Sequence, residues 1–157
     1  MSADLSIGVI ALVPDGWTDI VMPRHQVLWR LARHFQVAWI EPAKGWRDFW
    51  MASGRQFMEP DRWSSPTPGL HVMSPGCLHP KFVRPYWLDT LTLKLRLAAA
   101  RRRLVAQGAE RIVLYLWRDE FARAVDVIDH DISCYHIDDE YNFNERDVPN
   151  SVRETAG

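Results

Sequence analysis

The sequence predicts an α/β domain in which a parallel sheet of about five strands carries helices on both faces. Short apolar, β-branched segments alternate along the chain with segments whose apolar residues recur at helical spacing. Strands that are separated by helices are joined by crossover connections and therefore run parallel. The chain has 157 residues, of which 47% are hydrophobic and 25% are charged, and this is enough for one sizeable core.

The first three elements are predicted to form a βαβ unit. Residues 7–13 are almost continuously apolar and are stopped by a Pro-Asp-Gly turn, which indicates a strand covered on both faces. A helix over residues 24–34 follows, with Pro23 in its first turn. Residues 36–40 are short, apolar and β-branched and end at a Glu-Pro pair, so they are predicted as the second strand.

The middle of the chain is less regular. Residues 43–69 contain Gly, Ser and Pro with interleaved Trp and Arg, and we expect them to form a long irregular excursion with at most a turn or two of helix. A third strand is predicted at residues 70–73. The segment 86–107 is rich in Leu, Ala, Lys and Arg, which predicts a long helix that ends at Gly108.

The last elements repeat the alternation. Residues 111–117 predict a fourth strand, a helix with Asp119 as its N-cap follows, and residues 132–137 predict a fifth strand. The whole pattern predicts a Rossmann-like domain over residues 1–143. We interpret residues 144–157 as a polar tail or the truncated start of the next element, and we prefer the second interpretation because a further crossover helix is expected there.

Charge and composition exclude several classes of protein. The net charge is -1, whereas binding through nucleic-acid phosphates needs a cationic excess, so no nucleic-acid partner is predicted. The longest apolar run is far shorter than the roughly 20 residues of a transmembrane helix, and no cationic segment precedes it as in a secretory signal. We therefore predict a cytoplasmic protein. Cys77 and Cys134 lack CxxC spacing and are interpreted as reduced thiols.

Candidate ligand-binding residues follow the strands, because open parallel sheets bind ligands beyond the carboxyl ends of their strands. A helix N-terminus with a nearby arginine and histidine can hold an anion, although these side chains are equally well explained as solvated residues of a first turn. Neither a GxGxxG nor a GxxxxGK[ST] motif is present. The candidates after the first strand are Asp15, Gly16, Trp17, Arg24 and His25.

Two more groups of candidates follow the fourth and fifth strands. Trp117 can stack on a sugar or a base and Arg118 can meet a phosphate, or the tryptophan can cap the core. Three adjacent carboxylates can hold a divalent cation, bind sugar hydroxyls or cap a helix; we favour hydrogen bonding and predict no metal. The candidates after the fifth strand are His136, Asp138, Asp139 and Glu140.

A membrane or partner surface is predicted from two further segments. If residues 45–58 are helical, Trp46, Phe49 and Trp50 fall near one face, which is typical of an interfacial anchor or of a lid on a partner domain. The long helix carries a basic side that is explained either by solvation or by contact with anionic lipid at the inner membrane face. Its cations are Lys94, Arg96, Arg101, Arg102 and Arg103.

Four segments taken together carry a family resemblance. They are the first strand, PRHQVLWRLARHFQVAWIEP, RIVLYLW and SCYHIDDEYNF, and they span most of residues 7–143. In this combination the chain resembles the N-terminal domain of bacterial family-four glycosyltransferases of the GT-B fold. His136 departs from the pattern, since such relatives often have Asp directly after the tyrosine.

The resemblance implies a two-domain enzyme that moves a sugar from a nucleotide-sugar donor to a glycan or lipid-linked acceptor. The acceptor is bound mainly by the N-terminal domain, and the donor by a C-terminal domain with two glutamates separated by seven residues. This chain has no such pair. It is therefore expected to be the acceptor-side half, with no cofactor of its own, no assigned catalytic residue and no activity without its C-terminal domain.

Two other classes of function are compatible with the residues. The first is a non-catalytic Rossmann-like module that binds a ligand or docks a protein through its Trp-rich excursion. The second is a metal-dependent hydrolase that uses Asp138, Asp139 and Glu140.

Overall fold

The computed structural model describes residues 6–19, 21–45, 60–77 and 79–137. Within these residues a 3₁₀ turn, Asp119–Phe121, precedes the last helix. The strands and α-helices are, in chain order, β1 (Ile7–Leu12), α1 (Pro23–Leu31), β2 (Gln36–Ile40), β3 (Arg62–Thr67), β4 (Leu70–Ser74), α2 (Tyr86–Ala106), β5 (Arg111–Leu116), α3 (Ala124–Val127) and β6 (Ile132–Tyr135).

The strands form one mixed sheet in the order β3-β4-β2-β1-β5-β6. β1 pairs in parallel with both β2 and β5, β4 is parallel to β2, and β6 is parallel to β5, while β3 is antiparallel to β4. The predicted α/β class is confirmed. The prediction of about five strands in a purely parallel sheet is corrected, because the described residues form a sheet of six strands and one of these is antiparallel.

The additional strand, β3, lies in the segment that was expected to be irregular. Polar and apolar residues do not alternate regularly along this strand, which includes two serines and Pro66. An edge strand tolerates this composition because it pairs on one side only. A tight turn at Gly69 joins it to β4. Gly69 has φ +78°, and a Cβ at this position would lie 2.2 Å from the carbonyl oxygen of Ala32, so the turn needs glycine.

Helices cover both faces of the sheet in the described part of the chain. Alternation along β1 sends Val9 and Ala11 to the face that packs on α1, and Ile10 and Leu12 to the opposite face. The α1 face is closed by Leu28, Val37, Trp39, Leu70, Val72 and Trp117, among others. The α2 face is closed by Leu93, Leu97, Ala100, Leu104, Ile112 and Leu114, among others.

The predicted helices are present but differ in length. α1 ends at Leu31 rather than at residue 34, and α2 runs to Ala106, where Gly108 with φ +96° ends it as expected. The helix predicted after Asp119 is reduced to the 3₁₀ turn and the four residues of α3. Apart from Gly45, the predicted helix at 45–58 lies outside the described residues, as does the predicted boundary after residue 143. No helix in the described part is both long enough and apolar enough to cross a membrane.

Candidate functional site

The carboxyl ends of β1 and β5 are neighbours, and the chain leaves them toward opposite sides of the sheet. From β1 it passes through α1 to β2, and from β5 it passes through α3 to β6. In open parallel sheets a crevice for ligands forms at such a reversal of strand order. The residues that follow β1 and β5 are therefore brought together at one edge of the sheet.

Arg24 interacts with a residue that follows β1 and with a residue that follows β5. It stands in the first turn of α1 and forms an ion pair through its Nε with Oδ2 of Asp15, in the loop after β1. Its Cζ lies 5.9 Å from the ring centroid of Trp117, at the end of β5. Arg24 is only 8% exposed, so the interpretation of this side chain as a solvated first-turn residue is wrong.

His25 is also buried, at 5% exposure, and its ring has a defined tautomer. The backbone N–H of Met22 donates to Nδ1 of His25 over 3.1 Å, so a neutral ring carries its proton on Nε2. Nε2 is buried and has no hydrogen-bond partner among the described residues. Burying an N–H group without a hydrogen-bond acceptor costs free energy. An acceptor atom of a bound ligand could form this hydrogen bond with Nε2 of His25.

Two tryptophans enclose His25. Its ring centroid lies 4.6 Å from that of Trp39 and 5.4 Å from that of Trp17, and the two indoles meet edge to face at 5.3 Å. Trp39 comes from β2 and is fully buried, whereas Trp17 comes from the loop after β1. The backbone N–H of Trp17 donates to Oε1 of Glu41 over 2.7 Å, which fixes this loop to the end of β2.

Trp117 and His136 form the second aromatic pair. Their ring centroids are 4.0 Å apart, and Nδ1 of His136 lies 2.7 Å from the hydroxyl of Tyr115. Trp117 is only 2% exposed and packs in the core on the α1 face, so it does not present an open indole face to solvent. Of the two sequence interpretations of Trp117, the core position is the one observed. Arg118 follows it, with a buried Nε that has no hydrogen-bond partner in the described part.

A cavity of about 550 Å³ opens beside this cluster, at the carboxyl ends of β2 and β4. Trp17 and Trp63 are among its lining residues, so the loop after β1 belongs both to the aromatic cluster and to the cavity. Three charged side chains are among its lining residues: Glu41, Lys44 and Arg62.

Of the cavity residues, the sequence predicted Trp17 but not Glu41, Lys44, Arg62 or Trp63. Glu41 and Lys44 follow β2, and the rule that placed the other candidates after strands could have found them. Arg62 and Trp63 could not be found in this way, because they begin β3, and only an antiparallel strand brings its amino end to the edge where the parallel strands finish.

The remaining predicted site residues have the following positions. The backbone N–H of Gly16 donates to Oδ2 of Asp19 over 2.7 Å, so this residue forms a turn in the loop after β1. Among the described residues no group of three or more His, Cys, Asp or Glu side chains is arranged to hold a metal ion. The other predicted residues, Asp138, Asp139, Glu140, Trp46, Phe49 and Trp50, lie outside the described part of the chain.

A second polar group lies on the opposite face of the sheet, under α2. His71 of β4 is buried, its Nε2 is 3.0 Å from Oε1 of Gln36, and its Nδ1 is 3.0 Å from Oγ of Ser65. An amide oxygen only accepts, so Nε2 carries the proton and Nδ1 accepts from the serine. Burial, and secondarily the positive charge of Arg103, lower the pKa of His71 and keep the ring neutral.

This polar group changes the expectation for the basic side of the long helix. Arg103 is half-buried, with its Cζ 4.9 Å from the ring centroid of Trp63. Arg96 is 8% exposed, and burial lowers its pKa against the opposing effects of Asp89 and Asp61. These two arginines face the sheet and not the solvent, whereas Arg101 and Arg102 are exposed. The predicted basic side is therefore corrected for Arg96 and Arg103.

Comparison of the chain with protein-family models, with curated proteins and with solved structures finds no match.

Proposed function

We propose that this chain is a Rossmann-like, acceptor-binding domain of a cytoplasmic glycosyltransferase. The order of its five parallel strands, β4-β2-β1-β5-β6, supports the finer assignment of the fold, because the strand order reverses between β1 and β5 as it does in nucleotide-binding α/β sheets. The resemblance carried by residues 23–42, 111–117 and 133–143 supports the activity.

The observation that carries the proposal is the cavity at the carboxyl edge. Trp17 and Trp63 are among its lining residues, and an indole ring is a common partner for the ring of a sugar. The carboxylate of Glu41 accepts from hydroxyl groups, and Lys44 and Arg62 supply positive charge for a phosphate or a sugar carboxylate. This combination suits a glycan or lipid-linked acceptor that carries an anionic group.

In the proposed reaction an acceptor hydroxyl attacks the anomeric carbon of the donor sugar. The new glycosidic bond forms as the bond between that carbon and the nucleotide diphosphate breaks, and the hydroxyl proton passes to a base that we do not assign to a residue of this chain. The donor is bound by a separate C-terminal domain, which is the proposed protein partner. The contribution of this chain is to hold and orient the acceptor.

An NMR titration of the full chain labelled with nitrogen-15 tests the proposal. Glucuronic acid and glucose 1-phosphate serve as anionic sugars, glucose as a neutral sugar and inorganic phosphate as the anion alone. The indole N–H signals of Trp17 and Trp63, assigned with the W17F and W63F variants, are expected to shift with the anionic sugars. The signal of the exposed Trp29 on α1 is the matched control and is expected not to move.

Two outcomes contradict the proposal. If none of the sugars moves either indole signal, the cavity does not bind carbohydrate. If inorganic phosphate reproduces the whole effect of glucose 1-phosphate and glucuronic acid has none, the site recognises an anion and not a sugar.

A non-catalytic interaction module remains the second candidate, and one observation favours it. All four residues of β6 are exposed, although β6 is paired with β5 along its whole length. An exposed strand at the edge of a sheet is a common place for a protein partner to bind. In that case a protein would bind at β6 and the sugar titration would leave the cavity signals unchanged.

A further inference from the structure

The outward-facing side of α2 carries an apolar stripe. Trp87 is 67% exposed, Leu91 45%, Leu95 44% and Val105 47%. The first three follow one another at intervals of four residues, so they lie on one side of the helix. The opposite side of α2 is the one that packs on the sheet, and the stripe is therefore additional to the face that the fold requires.

The charges on this outer face all have the same sign. Lys94, Arg101 and Arg102 are exposed and lie among the apolar residues. The one carboxylate of α2 is Asp89, which is 4% exposed and accepts a hydrogen bond from Arg123 over 2.6 Å. The outer face of a helix of 21 residues thus presents apolar and cationic side chains and no exposed acid.

We propose that this face of α2 docks on an anionic lipid surface. Leu91 and Leu95 enter the interface between headgroups and acyl chains, and the indole of Trp87 lies at the headgroup level, where amphipathic aromatic rings are favoured. Lys94 and the Arg101-Arg102 pair extend their aliphatic stems along the apolar stripe and place their charges against lipid phosphates.

The composition of the face favours lipid over a protein partner. A protein surface that neutralises three cations must place carboxylates in register with them, whereas a layer of anionic headgroups does this at any rotation of the helix. The tryptophan, the aliphatic residues and the flexible cations are the residue types that bind a helix in the plane of a membrane interface.

The orientation of α2 relates this surface to the cavity. The helix begins after the loop that leaves β4 and ends before β5, so its first turn lies at the carboxyl edge of the sheet. The backbone N–H of Lys81, in that loop, donates to the carbonyl of Lys44 in the cavity wall over 2.8 Å. If the proposed function holds, docking through Trp87 brings the cavity close to the bilayer, where a lipid-linked acceptor is held; the docking itself does not depend on that function.

Sedimentation of the full chain with vesicles tests the docking. Vesicles of phosphatidylcholine with phosphatidylglycerol are compared with vesicles of phosphatidylcholine alone. We expect binding to the anionic vesicles only, and weaker binding as salt is added. The R101Q/R102Q variant is expected to bind roughly 25-fold more weakly, which corresponds to two cations at about fivefold each. W87A is expected to bind the anionic vesicles about tenfold more weakly, because the variant has no indole ring to transfer from water into the membrane interface.

The opposite face of the molecule offers matched controls. Trp29 on α1 is 42% exposed, with the Cζ of Arg33 4.4 Å from its ring centroid, and Arg30 and Arg33 are both exposed. W29A and R30Q/R33Q therefore remove the same residue types from a surface without the stripe, and both are expected to bind vesicles as the parent chain does. Circular dichroism checks that each variant is folded.

Three results would overturn the docking proposal. The first is that the parent chain stays in the supernatant with anionic vesicles at low salt. The second is that the control variants lose as much binding as the α2 variants, since binding would then follow total charge. The third is that sedimentation velocity without lipid finds a dimer that W87A abolishes, since the stripe would then be an interface between two copies. None of these outcomes bears on the sugar titration, so the two proposals fail independently.

Discussion

The imidazole of His136 lies against the indole of Trp117, with ring centroids 4.0 Å apart and 31° between the ring planes. Leu116 and Tyr135 are partners in the register of β5 and β6, so Trp117 and His136 are the next residues on two parallel neighbours. The backbone N–H of His136 donates to the carbonyl of Leu116 over 2.8 Å and continues the pairing beyond the strands. The end of the sheet, and not a loop, therefore positions both rings.

Replacing Trp117 by alanine is expected to destabilise the fold. Its side chain is almost completely buried, and the deletion of a large buried aromatic ring costs about 3–5 kcal/mol in the free energy of unfolding. Urea denaturation measures the loss. W29A, at a half-exposed position, is the matched control and is expected to change stability by less than about 0.5 kcal/mol. Equal effects of the two substitutions would contradict the buried position of Trp117.

The ion pair between Asp15 and Arg24 is expected to show strong coupling in a double-mutant cycle. D15N removes the charge of Asp15 from beside the buried guanidinium of Arg24, and we expect a loss of about 2–3 kcal/mol, since Asp15 is partly exposed. D15N/R24M removes both charges and is expected to regain part of that loss. Urea unfolding of the two single variants and the double variant gives the coupling energy. Additive effects would mean that the pair contributes no net interaction.

Gly69 and Gly108 form a natural comparison, since both have positive φ. An added Cβ at Gly69 meets the carbonyl oxygen of Ala32 at 2.2 Å, whereas at Gly108 nothing lies within 4 Å. G108A is expected to cost about 1 kcal/mol from backbone conformation alone. G69A carries the same cost and a steric clash in addition, so its loss in thermal unfolding is expected to be clearly larger. A smaller loss for G69A would show that the turn between β3 and β4 does not need glycine.

Stability is expected to fall as the pH falls below the ordinary pKa of histidine, 6.5, because the pKa of His71 is lowered by burial and by Arg103. In the window between the lowered pKa of the folded state and 6.5, the unfolded chain binds the proton more readily than the folded chain does. Unfolding is therefore favoured as the pH decreases through this window, and the full stability is present above it.

Urea unfolding at one pH above and one pH below 6.5 measures this effect. H71N is expected to reduce the difference between the free energies of unfolding at the two pH values, because it removes the titrating ring that joins Gln36 to Ser65. H34Q is the matched control, since His34 is exposed. A pH dependence that is the same in H71N and in the parent chain would assign the effect to other groups.

Hydrophobic patterning predicted most of the sheet, because each buried strand is a short apolar run with a clear stop, as in residues 7–13 and 36–40. The edge strand β3 escaped prediction, since its Ser and Pro residues have no core face to reveal a period of two. Because β3 was not predicted, the cavity was not predicted either, since Arg62 and Trp63 of this strand are among its lining residues.

The positions of individual arginines were predicted less well than the helices that carry them. In the sequence, four arginines of the long helix were interpreted together as one basic side: Arg96, Arg101, Arg102 and Arg103. In the helix, Arg101 and Arg102 point outward, whereas Arg96 and Arg103 point toward the sheet. Arg103 lies against the ring of Trp63, and the negative charges of Asp89 and Asp61 act favourably on the buried guanidinium of Arg96. Sequence spacing gives the direction of a side chain but not the partner that stabilises it there.

β6 has a practical consequence for handling the protein. Its outer edge is paired with no other strand in the described part of the chain, and Ile132 and Tyr135 stand exposed along it. An uncovered edge with apolar side chains is a template for strand addition between molecules in concentrated solution. Substituting lysine for Ile132 should therefore suppress light scattering by concentrated samples while circular dichroism remains that of the parent, and it offers a direct route to material that stays dispersed.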